Sequence, residues 1–317
     1  MLVLQNVRAY DIETVLWKAQ EPALPEIAAK LATLANSLAE KIASVYVNEA
    51  LSAGSLDASS TVVPLAMQRV ALGEYVAREF DAPMKECLQA KLVVFSGIKI
   101  DKLDDLEAMI DRGTIRTVFS AGSLAMALTK ADAVLAGKDF CLGVTEDPAH
   151  KGKPYYIPPE RIEQAKRMVQ AGKSHGMEFV LPIDFKLGDD RVVETLAPND
   201  QQFDIGPKTI ALFEQKVGQF IEANRGQRAV VFYNGVFGMF EDARFETGTK
   251  AFIAQLKRMK DAGLAVYVGG GEGGMALEKY GQLDWVTHCF TAGGTVLNAL
   301  GAEPVPYLVA LRAATKR

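Results

Sequence analysis

From Lys91 onward the chain alternates short, continuously apolar runs with stretches of helical periodicity, and that alternation restricts the fold more than any other feature. Leu92-Val93-Val94-Phe95, Ile115 to Phe119, Phe179-Val180-Leu181, Ala229 to Tyr233, Leu264 to Val268 and Val286 to Phe290 are β-branched or aromatic runs. Most lead through a glycine-containing turn into a helical face. Leu103, Leu106 and Ile110 form one such face, Ile162, Ala165 and Val169 another, and Ile210, Phe213 and Val217 a third. A strand that is apolar on both sides must be buried on both sides, and the intervening amphipathic helices supply the cover. The pattern predicts an α/β domain with a doubly wound parallel sheet over about residues 73–317.

Residues 1–72 are less regular. Leu2-Val3-Leu4 reads as a short strand, and Ser44-Val45-Tyr46-Val47 as a second. Between them, after Pro22 and Pro25, Ile27, Leu31, Leu34, Leu38 and Ile42 recur at helical spacing. Ser52 to Thr61 reads as a loop, and about Ala66 to Phe80 as a helix. Two strands cannot sustain a sheet alone, so this region is expected to lean on something else.

Composition excludes several classes. With 49% hydrophobic residues the chain is globular, and 317 residues suit two domains. Thirty-nine acidic against 35 basic residues give a net charge of -4, which argues against nucleic acid or an anionic membrane as the main partner. No apolar run approaches the ~18 residues of a membrane helix, and no basic leader precedes one. Cys87, Cys141 and Cys289 lack metal-ligand spacing, so a reduced, cytoplasmic setting is expected. Among structural readings, His150 is a loop residue, His175 a helix C-terminal contact and His288 a core residue. Trp17 and Trp285 read as packing.

In a parallel sheet, ligands bind beyond the carboxyl ends of the strands. There the sequence places Ser96-Gly97-Ile98-Lys99-Ile100-Asp101-Lys102, Ser120-Ala121-Gly122-Ser123, Asn234-Gly235-Val236-Phe237-Gly238-Met239-Phe240-Glu241, Gly269-Gly270-Gly271-Glu272 and Thr291-Ala292-Gly293-Gly294. Glycines admit close backbone approach and helix N-termini offer N–H groups to anions, so the set reads as a phosphate cradle. A single such turn is ordinary punctuation. Gly269, Gly271 and Gly274 also match the dinucleotide pattern G-x-G-x-x-G. That pattern needs a carboxylate at the end of the next strand, where His288-Cys289-Phe290-Thr291 has none.

The order of these turns resembles the phosphoglycerate kinase family. Its nucleotide domain carries G-G-A-K-V-x-D-K, G-G-G-M-A, L-P-x-D, D-I-G-P-K-T, W-N-G-P-M-G-V-F-E, G-T-K, G-G-G-D-T and S-T-G-G-G-A. Here, besides the turns above, Leu181-Pro182-Ile183-Asp184, Asp204-Ile205-Gly206-Pro207-Lys208-Thr209 and Gly248-Thr249-Lys250 follow in the same order. The resemblance implies a nucleotide-binding domain of that family's C-terminal type over residues 73–317, with Mg2+ and ADP or ATP as ligands. It implies catalytic roles for Lys99, Lys102, Gly271 and Gly293. Nucleotide-binding positions are Gly97, Lys99, Gly122, Asn234, Gly235, Gly238, Glu241, Gly270, Glu272, Thr291 and Gly294. Glu272 stands where the family has its magnesium-linked aspartate.

The acceptor half departs from the pattern. The family's L-L-E-N-x-R-F corresponds to Leu2 through Arg8, so the resemblance implies that residues 1–72 are a truncated remnant of the N-terminal, acceptor-binding domain, with Arg8 retaining one position of its basic patch. In V-N-D-A-F-G-T-A-H-R-A-H-A-S, matched by Val47 to Ser60, Leu56 replaces the arginine, and Ser55 and Ala58 replace both histidines. The resemblance therefore implies a nucleotide-binding pseudoenzyme impaired in phosphoryl transfer to 3-phosphoglycerate. The alternatives are an active phosphotransferase, using phosphoglycerate or another carboxylate, and an assembly role alone. Unpaired strand edges in residues 1–72 suggest a homodimer, or else a segment folded against its own helices.

Overall fold

The computed structural model describes residue 3, residues 5–301 and residues 303–316. The chain divides into two compact units, Met1–Met84 with Gly294–Arg317, and Lys85–Gly293.

In the first unit the helix Leu24–Lys41 realises the expected periodicity, although only Leu31 and Ala35 are buried along it. The strand β1 (Val45–Asn48) pairs in parallel with β2 (Arg69–Leu72), with Tyr46 opposite Val70. Residues 69–72 are thus a strand rather than part of the expected helix. Gly73 ends it, its N–H donating to the Asn48 carbonyl at 2.8 Å, and the helix Glu74–Glu79 follows. Of the strand expected at Leu2 to Leu4, Leu2 and Leu4 lie outside the described residues, and Val3 is exposed outside any strand.

The expected boundary after residue 72 moves at both ends. Residues 73–84 stay with the first unit, and residues 294–317 return to it. The helix Pro306–Ala314 packs on the helices Ala58–Thr61 and Val63–Ala66 and on β2. Tyr307 meets Phe80 edge to face at 6.5 Å, and the Thr295 hydroxyl donates to the Leu51 carbonyl at 2.5 Å. Burying these apolar groups outweighs chain continuity with residues 85–293.

The second unit is the doubly wound domain. Its strands are β3 (Leu92–Phe95), β4 (Thr117–Phe119), β5 (Glu178–Val180), β9 (Val230–Asn234), β10 (Ala265–Val268) and β11 (His288–Cys289), in the spatial order β11-β10-β9-β3-β4-β5 and parallel throughout. The chain runs outward from β3 to β5, then returns to β9 beside β3 and runs outward the other way. The topological switch point therefore lies between β3 and β9, where ligands bind in such sheets. β3, β9 and β10 are buried at every residue. Phe119, Phe213, Tyr233, Phe237 and Phe252 pack between sheet and helices, with Phe237 and Phe252 centroids 4.9 Å apart.

A second, antiparallel sheet was not legible as such. It comprises β6 (Phe185–Leu187), β7 (Val192–Val193) and β8 (Gln202–Ile205), ordered β7-β6-β8. His175 caps the helix Pro159–Ser174, its Nδ1 2.8 Å from the Ala171 carbonyl. Trp17 departs from the packing expectation: it is 47% exposed and lies under the Arg8 guanidinium. Trp285 does pack against the core.

Candidate functional site at the strand tips

All the parallel strands of the second unit end on one edge, and the glycines there join neighbouring tips. Between β4 and β3, Gly97 bridges Gly122, and a Cβ on Gly122 would lie 2.6 Å from the Gly97 carbonyl oxygen. Between β3 and β9, a Cβ on Gly235 would collide with the Ser96 carbonyl, and Gly235 has φ +106°. Ser96 secures that contact by donating its hydroxyl to the Val236 carbonyl at 2.6 Å. Between β9 and β10, a Cβ on Gly269 would strike the Asn234 amide nitrogen. Between β10 and β11, one on Gly270 would sit 2.5 Å from the Ala292 nitrogen, and one on Gly293 2.9 Å from the Gly270 oxygen.

These glycines are required by tip-to-tip packing itself. Gly271 differs: its φ is +68° and a Cβ there would meet nothing within 4 Å, so it opens onto free space at the start of the helix Glu272–Tyr280. Gly294 is likewise open, but it belongs to the first unit.

Charged groups stand at the same edge. Lys99 is exposed. Lys102 is half-buried, with Nζ 3.4 Å from the Ser96 carbonyl and close under Gly97. Burial lowers its pKa, the Glu272 carboxylate opposes that, and Lys99 adds to it. Lys99, Lys102 and Glu272 therefore share one electrostatic neighbourhood. Glu272 is exposed at the first turn of its helix. Asn234 is buried at the end of β9, and Thr291 is exposed after β11. Glu241 is exposed in the turn that follows Phe240, with no contact among the described interactions tying it to the tips.

The most specific sequence motifs prove to be scaffold. Asp184, buried, accepts the N–H groups of Lys208 and Thr209 at 3.0 and 2.7 Å, capping the helix Pro207–Ala223. The Thr209 hydroxyl oxygen accepts the Ile183 and Asp184 N–H groups in return. Asp204, also buried, accepts the Gly248 and Ile205 N–H groups, each at 2.9 Å. Thr249 Oγ1 accepts from Phe237 and Gly238. Burial pushes the Asp204 carboxyl up to about 7, opposed by these two N–H groups and the Lys186 charge. Gly238 lies against Asp204, where a Cβ would be 2.6 Å from Cγ, so it packs the scaffold. Sequence reasoning missed Asp184, Asp204 and Thr249 as structural locks, although buried acidic and hydroxyl residues beside helix starts are a capping signal.

Glu272 fits a Mg2+ site of the usual kind, in which one or two carboxylates share the ion with substrate phosphates. No cluster of three or more ligating side chains exists among the described residues. Burial pushes the Cys87 thiol up, away from nucleophilic use. No helix among the described residues is long and apolar enough to cross a membrane.

The phosphoglycerate kinase family profile matches residues 1–303. The chain is 30% identical to the phosphoglycerate kinase of Synechococcus sp. (strain JA-2-3B'a(2-13)), with 98% of this chain and 68% of that protein covered. It is 27% identical to the cytosolic phosphoglycerate kinase of Triticum aestivum, over 98% and 71% respectively. The solved phosphoglycerate kinase of Coxiella burnetii superposes with TM-score 0.65 at 23% identity, over 90% of this chain and 69% of that one. For the enzyme of Pyrococcus horikoshii OT3 the TM-score is 0.66 at 23% identity, over 87% and 65%.

Proposed function

The chain belongs to the phosphoglycerate kinase family, and from that premise we propose that it binds ADP or ATP with Mg2+ at the strand tips of its second unit and is impaired in phosphoryl transfer to 3-phosphoglycerate. The observation that carries the binding half is the unbroken series of joined tips from β11 to β4, with Lys99, Lys102 and Glu272 grouped beside the open Gly271. Joined tips bring backbone N–H groups and the N-terminus of the helix Glu272–Tyr280 to one edge, where an anion is stabilised without induced movement.

In this reading the exposed Lys99 meets the phosphoryl group, while Lys102 fixes the tip of β3 and lends its charge from beneath. Glu272 and nucleotide oxygens would hold the Mg2+, which supplies charge neutralisation on the phosphates. Gly97, Gly122, Gly235 and Glu241 line the nucleoside side, and Asn234, Gly270, Gly293 and Thr291 the phosphate side.

Impairment is supported by the first unit. Phosphoryl transfer depends on positioning and on positive charge, and one lost stabilising donor typically costs about 3–4 kcal/mol. Ser55, Leu56 and Ala58 supply no charge where the family places two histidines and an arginine. A coupled assay with ATP and 3-phosphoglycerate tests this half: turnover within about tenfold of a working relative would sink it. Calorimetric titration with Mg-ADP tests the binding half. No heat at millimolar ligand would leave an assembly role, whereas turnover on another carboxylate would establish the phosphotransferase alternative. A cytoplasmic location and a homodimer remain part of the proposal, the dimer supported by the exposure of Val45 and Val47 on β1 and checked by light scattering.

A further inference from the structure

Arg8 is held by its own chain in the way an arginine holds an anionic ligand. Its Nε lies 3.3 Å from Asp57 Oδ1 and its Nη2 2.8 Å from Asp57 Oδ2, a two-pronged pairing that matches how a guanidinium grips a carboxylate or phosphate. The guanidinium rests on the Trp17 ring at 5.1 Å. The Asp57 side chain is only 6% exposed, whereas that of Arg8 is 46% exposed. The Asp57 carboxylate makes no capping bond to the helix Ala58–Thr61, so Arg8 is its partner.

A second carboxylate adds to the effect. Glu13, buried, accepts the Ser59 N–H at 3.0 Å and the Ser59 hydroxyl at 2.5 Å, and its charge acts on Arg8. Asp57 thus holds the guanidinium and the Glu13 charge also acts on it, while the neighbouring Ser55, Leu56 and Ala58 add no cation. An incoming anion would have to displace Asp57 and meet the field of Glu13.

We infer that Asp57 is a specificity-determining residue: an internal carboxylate that occupies Arg8 as an anionic acceptor would, and so keeps phosphorylated acids out of the first unit. This rests on the reading of Arg8 as an acceptor-side residue of a phosphoglycerate-kinase-type protein. Neutralising Asp57 with its shape kept frees the guanidinium and creates an anion site.

The test titrates inorganic phosphate and 3-phosphoglycerate, by calorimetry, into the full chain, into Asp57→Asn and into Asp57→Asn with Arg8→Gln. The wild type shows no saturable heat beyond what the double variant retains. Asp57→Asn binds at least about tenfold more tightly, and the double variant loses that gain. Equal binding by wild type and Asp57→Asn, or a gain that survives without Arg8, overturns the inference. Because Asp57→Asn could fold poorly, the Arg8 Nε–H resonance of the wild type is followed during the phosphate titration: it stays fixed if Asp57 occupies the guanidinium, and a saturable shift overturns the inference. Mg-ADP titrated into the same samples keeps the two readings apart, since its failure would remove the nucleotide proposal while the phosphate results still judge Asp57.

Discussion

The two units solve the same packing problem with very different resources. In the second, strands buried at every residue are clamped between helices, and the strand tips touch through glycine. In the first, β1 and β2 form a two-stranded sheet in which Val45 and Val47 are 40% and 53% exposed, and a cavity of about 400 Å3 lies along Leu24, Ile27, Leu31 and Ala35 of one helix and Val62 and Leu65 nearby. A two-stranded sheet is marginal without packing partners. The first unit finds them in the helix Pro306–Ala314, at the far end of the chain. The contrast teaches that one unit carries dense local order, while the other depends on a closing segment and holds Arg8 in an internal ion pair.

The contrast breaks most sharply at the tips. Gly235→Val would drive a branched side chain into the Ser96 carbonyl at positive φ, with an expected loss of about 3–5 kcal/mol and of Mg-ADP binding. Thermal unfolding of the second unit and ADP titration read both. Truncation of matched leucines compares the cores directly. Leu256→Ala, at a position with no exposure, is expected to cost about 4 kcal/mol, and Leu31→Ala, beside the existing cavity, about 2 kcal/mol. Equal losses in urea unfolding would contradict the difference in packing.

Asp204 gives the second unit a pH dependence. Its folded carboxyl titrates at about 7, against about 3.9 for an unfolded aspartate. The folded chain therefore holds the proton across that window. The stabilisation is complete below about pH 4 and is lost as pH rises through 7, so stability should fall by about 2–3 kcal/mol from pH 5 to pH 8. Asp204→Asn, which still accepts from Gly248, should flatten the curve; an unchanged slope would assign the effect elsewhere. The smallest expected change is a gain. The Tyr233 hydroxyl is fully buried with no hydrogen-bond partner among the described residues, so Tyr233→Phe should stabilise the second unit by about 1 kcal/mol. A loss of stability would reveal a polar contact to that hydroxyl in solution.

Much of the second unit was readable in advance because its signals are local. A run such as Leu92 to Phe95 has no polar face to turn outward, so it can only be an interior strand, and Gly97, Gly122 and Gly270 mark where such runs must stop. The antiparallel strands at 185–187 and 202–205 lacked that signal, being short and of mixed polarity. The tip glycines were legible as turns that follow strands, but their contacts with one another could not be read from spacing. Only the register of neighbouring strands brings Gly122 against Gly97.

Sequence alone determined the strand–helix alternation, the order of the turns and the family they resemble, because periodicity and motif are properties of adjacent residues. Tertiary structure decided that residues 69–72 pair with β1, that the C-terminal helix belongs to the first unit, that Asp184 and Asp204 brace helix starts, and that Asp57 grips Arg8. Each of those outcomes joins residues about 20 or more positions apart, where burial and charge pairing across space outweigh local preference.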